Sequence, residues 1–558
     1  MKRTTVLLIA ILTGLSVFAQ SDAFEQFRKQ QEAAFNQFRD DQQAEYDAYR
    51  KRVNEEYAEF MRRAWDQFPM QQAEQPVEEK IVPPEIFPEP EEEPAEEPKV
   101  TPKEEPKQEP KVTPKEEPKQ EPKVTPKEEP KQEPKVTPKE ESKVTPKEEP
   151  KVSPKPTPKP EPKSQPIAVK PTVVVVPEPA PAPDPIAPVQ PKPEAYKRVS
   201  VSYFGALVTI GFPANDDLKI AAMNEDALAD AWKHLSASKY DIMVKTALDI
   251  RKASDFNDWA YMNVLRDVTE KHYGKTNEAI LAQAFLMTQS GYRVRLGMAA
   301  GKLYMLVASL YDIYGLNYYK LEGTKFYLVN GTGSKQMQIC SAKFGKEQSL
   351  SLQLARLPKL GSEPTPKRKL TSRKGVMASV SVNKSMIDFF NTYPQACFNG
   401  DYTTRWAAYA NTPLEPSIRE ALYPQLKKVI NGMSEREAVG ILLNWVQTAF
   451  EYELDDKVWG GDRAFFAQET LYYPYCDCED RSILFSRLVR DLVGLDVVLL
   501  YYPGHLATAV AFSEDGKGDW LSYKNRKYIV CDPTYINAGV GYTMPGMNNQ
   551  QAQVIALK

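Results

Sequence analysis

One block, between residues 80 and 195, decides how much of this chain can fold, because it holds most of the 47 prolines. Within it the unit Val-Thr-Pro-Lys-Glu-Glu-Pro-Lys-Gln-Glu-Pro-Lys starts at Val100, recurs at Val112 and Val124, and continues in degraded form from Val136. Proline at every third or fourth position fixes φ and removes backbone donors, which blocks helix and sheet and favours extended polyproline II. Lys and Glu alternate, so the charge nearly cancels and exerts little pull on a charged surface. The stretch 69–196 therefore reads as a disordered tether, of which the block 80–195 alone reaches at most some 350 Å at ~3.1 Å per residue. Globular material is left to residues 197–558, enough for two domains of ordinary size.

The start of the chain reads as a secretory signal over residues 1–19: Lys2 and Arg3, then an apolar run from Val6 to Ala19, ending Val17-Phe18-Ala19. The run is short of the roughly 20 residues a bilayer span needs. An exported protein is expected, periplasmic or at the cell surface, with no integral membrane segment after cleavage. A net charge of -3 without a basic patch argues against nucleic acid as a partner. Five cysteines, an odd number, do not make a disulfide framework.

Residues 20–68 carry a repeat of eleven. Aromatic pairs spaced three apart recur as Phe24 and Phe27, Phe35 and Phe38, Tyr46 and Tyr49, Tyr57 and Phe60, followed by Phe68. Eleven residues over three turns is close to the natural pitch of a straight helix, so the rings share one stripe. Pro69 is the expected end. Such a stripe wants a cover: a second copy, the globular part or a membrane surface. Self-association as a coiled coil through 22–68 is the plainest of these, since the polar face is mixed in sign rather than basic.

The chemistry lies near the end. After Cys478, Ile483, Leu484, Leu488 and Leu492 keep helical spacing and Gly494 is a stop signal, so Cys478 sits at a helix N-terminus. Unsatisfied N–H groups there lower a thiol's pKa and can hold an oxyanion. Glu479 and Asp480 work against thiolate formation, so another group must supply activation. A strand-like run, Val497 to Tyr502, leads through Pro503-Gly504 to His505, and Ala507 to Phe512 continues after it; Lys527 to Val530 leads to Asp532. A thiol at a helix start, an imidazole and a carboxylate on successive strands are the parts of an activated nucleophile.

The motifs Cys478-Glu479-Asp480, Gly504-His505 and Asp532-Pro533-Thr534, in that order over residues 430–558, resemble the transglutaminase-like superfamily. The resemblance implies an α+β fold with the cysteine helix packed on an antiparallel sheet. It makes Cys478 the nucleophile, His505 the general base and acid, and Asp532 the orienting residue. Members include acyl transferases, peptidases, amidases and inactive proteins. Cys476 stands two residues upstream as an alternative nucleophile; Trp445, Tyr452 and Gln468 are candidate oxyanion donors among which the sequence does not choose. Cys476, Cys478, His505 and Cys531 also offer a Cys₃His zinc set, although zinc ligands more often come in two close-spaced clusters.

Residues 240–332 look like a worn copy of the same unit. Shifted by 203 positions without a gap, Ile280, Leu281, Gly291, Val294, Leu296, Gly301, Leu303 and Val307 fall on Ile483, Leu484, Gly494, Val497, Leu499, Gly504, Leu506 and Val510. Lys275 then replaces Cys478 and Lys302 replaces His505, and one residue of slippage sets Asn330 opposite Asp532. Lysine is neither thiolate nor base at neutral pH unless strongly perturbed, so this copy cannot do thiol chemistry. Between the copies, Ser349 to Leu357 and Val376 to Val382 alternate like strands. The basic run Lys367-Arg368-Lys369 marks an exposed loop, while Met386 to Phe390 and Ser417 to Ile430 read as helices. Ser434 to Glu437 forms a capping box before a helix from Ala438 to Phe450.

The expected organisation is thus a signal (1–19), a helical segment (20–68), a spacer (69–196), a degenerate transglutaminase-like unit (197–345), a connecting α+β region (346–430) and a catalytic unit (431–558). Two functions are open: a thiol acyl-transfer enzyme acting on protein or peptide amides, cell-wall peptides among them, or an inactive binding module on a long spacer. No calcium loop or phosphate motif is visible, so no cofactor is expected.

Overall fold

The four aromatic pairs lie on one long helix, α1, Asp22–Met61, in a computed structural model that describes residues 22–74, 172–189, 195–547 and 551–558. The expected signal sequence and the proline-rich repeats from Val100 lie outside the described residues. The last turns of α1 dock on the globular part: Tyr57, Ala58 and Met61 are buried. The Tyr57 ring meets Trp232 at 4.8 Å and Phe344 at 4.3 Å. Arg50 pairs with Asp241 at 2.7 Å, and Trp232 Nε1 donates to Asn54 at 3.1 Å. Upstream, the stripe is open, with Phe27, Phe35, Phe38, Tyr46 and Tyr49 all exposed.

The helix ends at Met61, not at Pro69. Residues Trp65–Gln71 form a strand, β1, that pairs with β9 (Gln336–Cys340) from Trp65↔Cys340 to Pro69↔Gln336. Cross-strand pairing with a segment some 270 residues away overrides the local helical spacing of Phe68, which packs in a small core with Met70, Tyr319 and Met337. The stretch expected to be all spacer also contributes a strand, β2, Thr172–Val175. Alternation there buries Val174 and Val176 and leaves Val173 and Val175 outside.

In the first unit a hairpin (β3, Tyr196–Tyr203; β4, Ala206–Pro213) precedes four helices: α2, Glu225–Leu235; α3, Asp241–Ala253; α4, Asp258–Tyr273; α5, Asn277–Gln289. Thr276 caps α5, its side chain accepting from Ala279 N. Strands β5 (Val294–Ala299), β6 (Lys302–Ala308), β7 (Tyr318–Leu321), β8 (Thr324–Leu328) and β9 follow. With β1 they close a barrel in the order β1-β9-β5-β6-β8-β7, sealed by Met70↔Tyr319 and Gln71↔Tyr318.

The connecting region differs from expectation in two places. Ser349 to Leu357 is irregular: Leu350, Leu352 and Leu354 are buried, but only an isolated bridge, Ser309↔Leu350, joins them to a strand. Arg368 and Lys369 are not loop but part of β10 (Arg368–Thr371), paired with β11 (Met377–Val380). Helices α6 (Lys384–Asn391), α7 (Thr404–Asn411) and α8 (Pro416–Ile430) lead to α9, Glu435–Thr448, whose start is held by the Ser434–Glu437 capping box.

The second unit adds α10 (Asp455–Val458), α11 (Ala467–Tyr472), α12 (Cys478–Leu492) and strands β12 (Val497–Tyr502), β13 (His505–Val510), β14 (Trp520–Tyr523), β15 (Arg526–Cys531) and β16 (Gln553–Ala556). Its open sheet runs β14-β15-β13-β12-β16-β2, with β2 parallel to β16. Leu499, Leu506 and Val510 join the core containing Ile483, Leu484 and Leu488 of α12; Val498, Leu500, Ala507 and Ala509 form a second core with Tyr528 and Val554.

Strands β5, β6, β7 and β8 of the barrel correspond to β12, β13, β14 and β15 of the open sheet, whereas β1 runs antiparallel to β9 and β2 parallel to β16. The shift of 203 carries β5 onto β12 and β6 onto β13, and the register with them: Val294↔Val307 becomes Val497↔Val510. A shift of 202 carries the hairpin contact Leu321↔Thr324 onto Tyr523↔Arg526. The architecture is mixed α+β, and among the described residues no helix is long and apolar enough to cross a membrane.

Candidate functional site

The start of α12, the start of β13 and the end of β15 meet around three buried residues: Cys478 at 2 %, His505 at 2 % and Asp532 at 1 % exposure. Cys478 is the first helical residue and Asp477 the N-cap. One turn on, Ser482 Oγ donates to Leu506 O at 2.9 Å, tying the helix to the strand beside His505. Gly504 takes φ 79°, a left-handed turn conformation that glycine adopts without strain, and delivers His505 as the first residue of β13.

His505 and Asp532 are brought together: Nε2 lies 2.8 Å from Asp532 Oδ2. Asp532 is itself fixed, since Oδ1 accepts from Thr534 N at 2.8 Å and Tyr535 N at 3.1 Å, and its carbonyl accepts from Gln447 Nε2. The pairing with Nε2 leaves Nδ1 as the other ring nitrogen, buried without a hydrogen-bond partner.

The third contact is not formed. Cys478 Sγ donates to Glu479 Oε2 at 3.1 Å. Burial pushes the thiol well above its usual value, Glu479 and Asp477 add to this, and only the Leu506 N–H works the other way. The lowering expected from a helix N-terminus is thus outweighed by desolvation and two neighbouring acids. His505 instead stacks near Tyr502, its partner in the β12–β13 register, with ring centroids 6.4 Å apart.

Cys476 is held differently. It accepts from Arg481 Nε at 3.4 Å and sits in a two-residue strand paired with Glu451 and Tyr452. Cys476, Cys478, His505 and Cys531 do not converge as one ligand set: among the described residues, the ligand-type groups that do are Asp477, Cys478 and Glu479, then Asp455, Asp462 and Glu479, and Asp455, Asp477 and Asp480.

The oxyanion candidates separate. Gln468 is consumed by Glu415, donating to its Oε2 and accepting from its N–H. Trp445 Nε1 is buried and unpartnered. Tyr452 Oη is also buried and unpartnered, and its phenol is pushed up by burial and then by Cys478, Asp477 and Glu479, which places it beside the thiol.

Sequence reasoning found Glu479 and Asp480 but missed Asp455, Asp462 and Asp477. Asp455, Asp462, Asp477, Glu479 and Asp480 gather at the helix start. Arg405, fully buried, grips Asp462 through both terminal nitrogens and stands 3.9 Å from Glu479. Asp480 accepts from Phe465 N at 2.8 Å and Asp477 N at 3.2 Å. In the first unit the positions of the triad hold Lys275 and Lys302, both exposed, and Asn330, whose Oδ1 accepts from Met305 N at 2.7 Å. No family model matches the chain, and no curated protein matches its sequence.

Proposed function

We propose that this chain is an exported thiol-dependent acyl-transfer enzyme of transglutaminase-like type, acting on protein or peptide amides, with a first unit of the same type that lacks the triad. The buried His505–Asp532 pair carries this reading, because its free Nδ1 lies on the strand to which the Cys478 helix is tied. Corresponding sheet order and register in the two units support the tandem arrangement.

Catalysis requires Sγ to leave Glu479 and meet Nδ1, a contact of the kind that tightens only when substrate binds. Sγ then passes its proton to Nδ1 and attacks the amide carbon. The C–N bond breaks as Nδ1 returns that proton to the leaving nitrogen. Water or an amine attacks the thioester, giving its proton to Nδ1, and the thiol is restored. Asp532 holds the imidazole's tautomer throughout. The first N–H groups of α12 and the Tyr452 hydroxyl are the donors available to the oxyanion. Export makes cell-wall peptides and surface proteins the substrates to try first.

A second reading, an inactive module that binds through the same fold, is favoured by the buried, protonated thiol and the unformed sulfur–imidazole contact. Hydroxamate formation from glutaminyl and cell-wall stem peptides with hydroxylamine separates the two. Product that disappears in Cys478→Ala supports the enzyme; neither hydroxamate nor cleavage across those peptides supports the module.

A further inference from the structure

The aromatic stripe of α1 stays open even where the helix docks. Arg50, Asn54, Tyr57, Ala58 and Met61 are buried against the globular part. Tyr49 and Phe60 sit in the same turns, yet they are 45 % and 53 % exposed. At about 100° per residue these two rings lie roughly a third of a turn from Asn54 and Met61. The globular part therefore covers one face of α1 and leaves the ring face free. Upstream, Phe27, Phe35, Phe38 and Tyr46 continue the row, each between 40 and 66 % exposed.

The size of this surface can be set against what an interface needs. An aromatic side chain presents about 150–250 Å², so at these exposures the six rings offer roughly 600 Å² per helix. Two such rows laid together would bury about 1,200 Å², the lower end of a stable protein–protein interface. A contiguous apolar row of this size marks an interaction surface rather than a solvated face.

We infer that the ring row is the seam of a parallel, in-register homodimer, each copy covering the other's α1. The eleven-residue period, about 3.67 residues per turn, keeps the rings of both helices facing each other over their whole length with little supercoiling. Within the stripe, Gln31 and Gln42 follow the ring pairs at the same place in the repeat. In register, each meets the identical amide of the second copy, which can both donate and accept. The flanks set the direction. Arg28 and Arg39 follow the second ring of a pair, whereas Glu45 and Glu56 precede the first, which puts them on opposite sides of the stripe. A parallel pair brings opposite flanks together, Arg to Glu; an antiparallel pair sets Arg against Arg. The same mixture of signs does not suit an anionic membrane surface. The seam shares no residue with the Cys478 site, so it stands apart from the acyl-transfer reading.

The test is sedimentation equilibrium of the full chain, with cysteine cross-linking to read direction. Wild type should be a dimer at micromolar concentration. Phe35→Ala combined with Phe38→Ala removes four rings from each dimer and should raise its Kd about a hundredfold or more. The globular part should melt as in wild type, since neither ring packs in its cores. Gln31→Cys should form a disulfide between copies, because a parallel pair sets residue 31 beside its mate and the five native cysteines are buried. An antiparallel pair would hold those two sulfurs tens of ångströms apart. A monomer at tens of micromolar, a dimer that survives the double substitution, or a dimer whose Gln31→Cys form stays reduced under oxidising conditions would overturn the seam. Ring-dependent binding of a monomer to phosphatidylethanolamine–phosphatidylglycerol vesicles would overturn it too.

Discussion

Arg405→Met tests how the acidic end of α12 is held together. Arg405 has 1 % of its side chain exposed and makes two hydrogen bonds to Asp462, which also accepts from Tyr402 Oη at 2.8 Å. Burial alone would push the Asp462 carboxyl up; the guanidinium's charge and hydrogen bonds, with Tyr402, hold it below the usual range. Methionine fills much of the volume but leaves Asp462 uncompensated among Asp455 and Glu479. Removing one partner of a buried pair costs about 3–5 kcal/mol. At about 2 °C per kcal/mol for a large unit, melting should fall by roughly 5–10 °C. The sign with pH follows: a carboxyl depressed in the fold stabilises above its unfolded pKa, and that contribution is lost as pH falls through the folded value. The deficit of Arg405→Met should therefore be largest at neutral pH and shrink toward pH 3. A melting point within 1 °C of wild type at pH 7, followed by circular dichroism, would refute the account of this pair.

Tyr452→Phe should lower acyl transfer by about a hundredfold with melting unchanged, as expected for loss of an oxyanion donor, measured as hydroxamate release. Asp258 is pushed up to about 6, chiefly by burial and against hydrogen bonds from Ser351 N and Tyr292. The fold then binds its proton more tightly than the unfolded chain, so stability is lost as pH rises from 4 to 6. Relative to Asp258→Asn, wild type should lose on the order of 3 kcal/mol over that range by urea titration. A chain beginning at residue 195 lacks α1, β1 and β2, which opens the barrel and bares the edge of β16. It should aggregate on size-exclusion chromatography, and a stable monomer would contradict the assigned strand order.

What was legible in the sequence was local or periodic. The helix after Cys478 showed in Ile483, Leu484 and Leu488, and the turn before His505 in Pro503-Gly504. Val294, Leu296 and Val307 pointed to the second sheet because one ungapped shift preserves both face and register. What was hidden depends on distant partners. Nothing near Trp65 or Val174 announces Cys340 or Ile555, to which they pair. Ser349 to Leu357 misled because alternation records burial, and Leu350, Leu352 and Leu354 are buried without forming a strand. Nothing in the sequence marks Asp455 or Asp462, which only the fold sets against Asp477 and Glu479, and the burial that raises the thiol is likewise a product of the fold.

The most direct test of the enzyme reading is the alkylation rate of Cys478 from pH 4 to 9, followed by peptide mass mapping, in wild type and His505→Ala. An unpaired thiol titrates near pH 8.5 or above, whereas one that reaches an imidazole reacts well below pH 7. The account predicts modification at pH 6 at least tenfold faster in wild type than in His505→Ala, as reagent enters and Sγ leaves Glu479 for Nδ1. Identical profiles in the two proteins, rising only above pH 8, would contradict it and leave an inactive binding module.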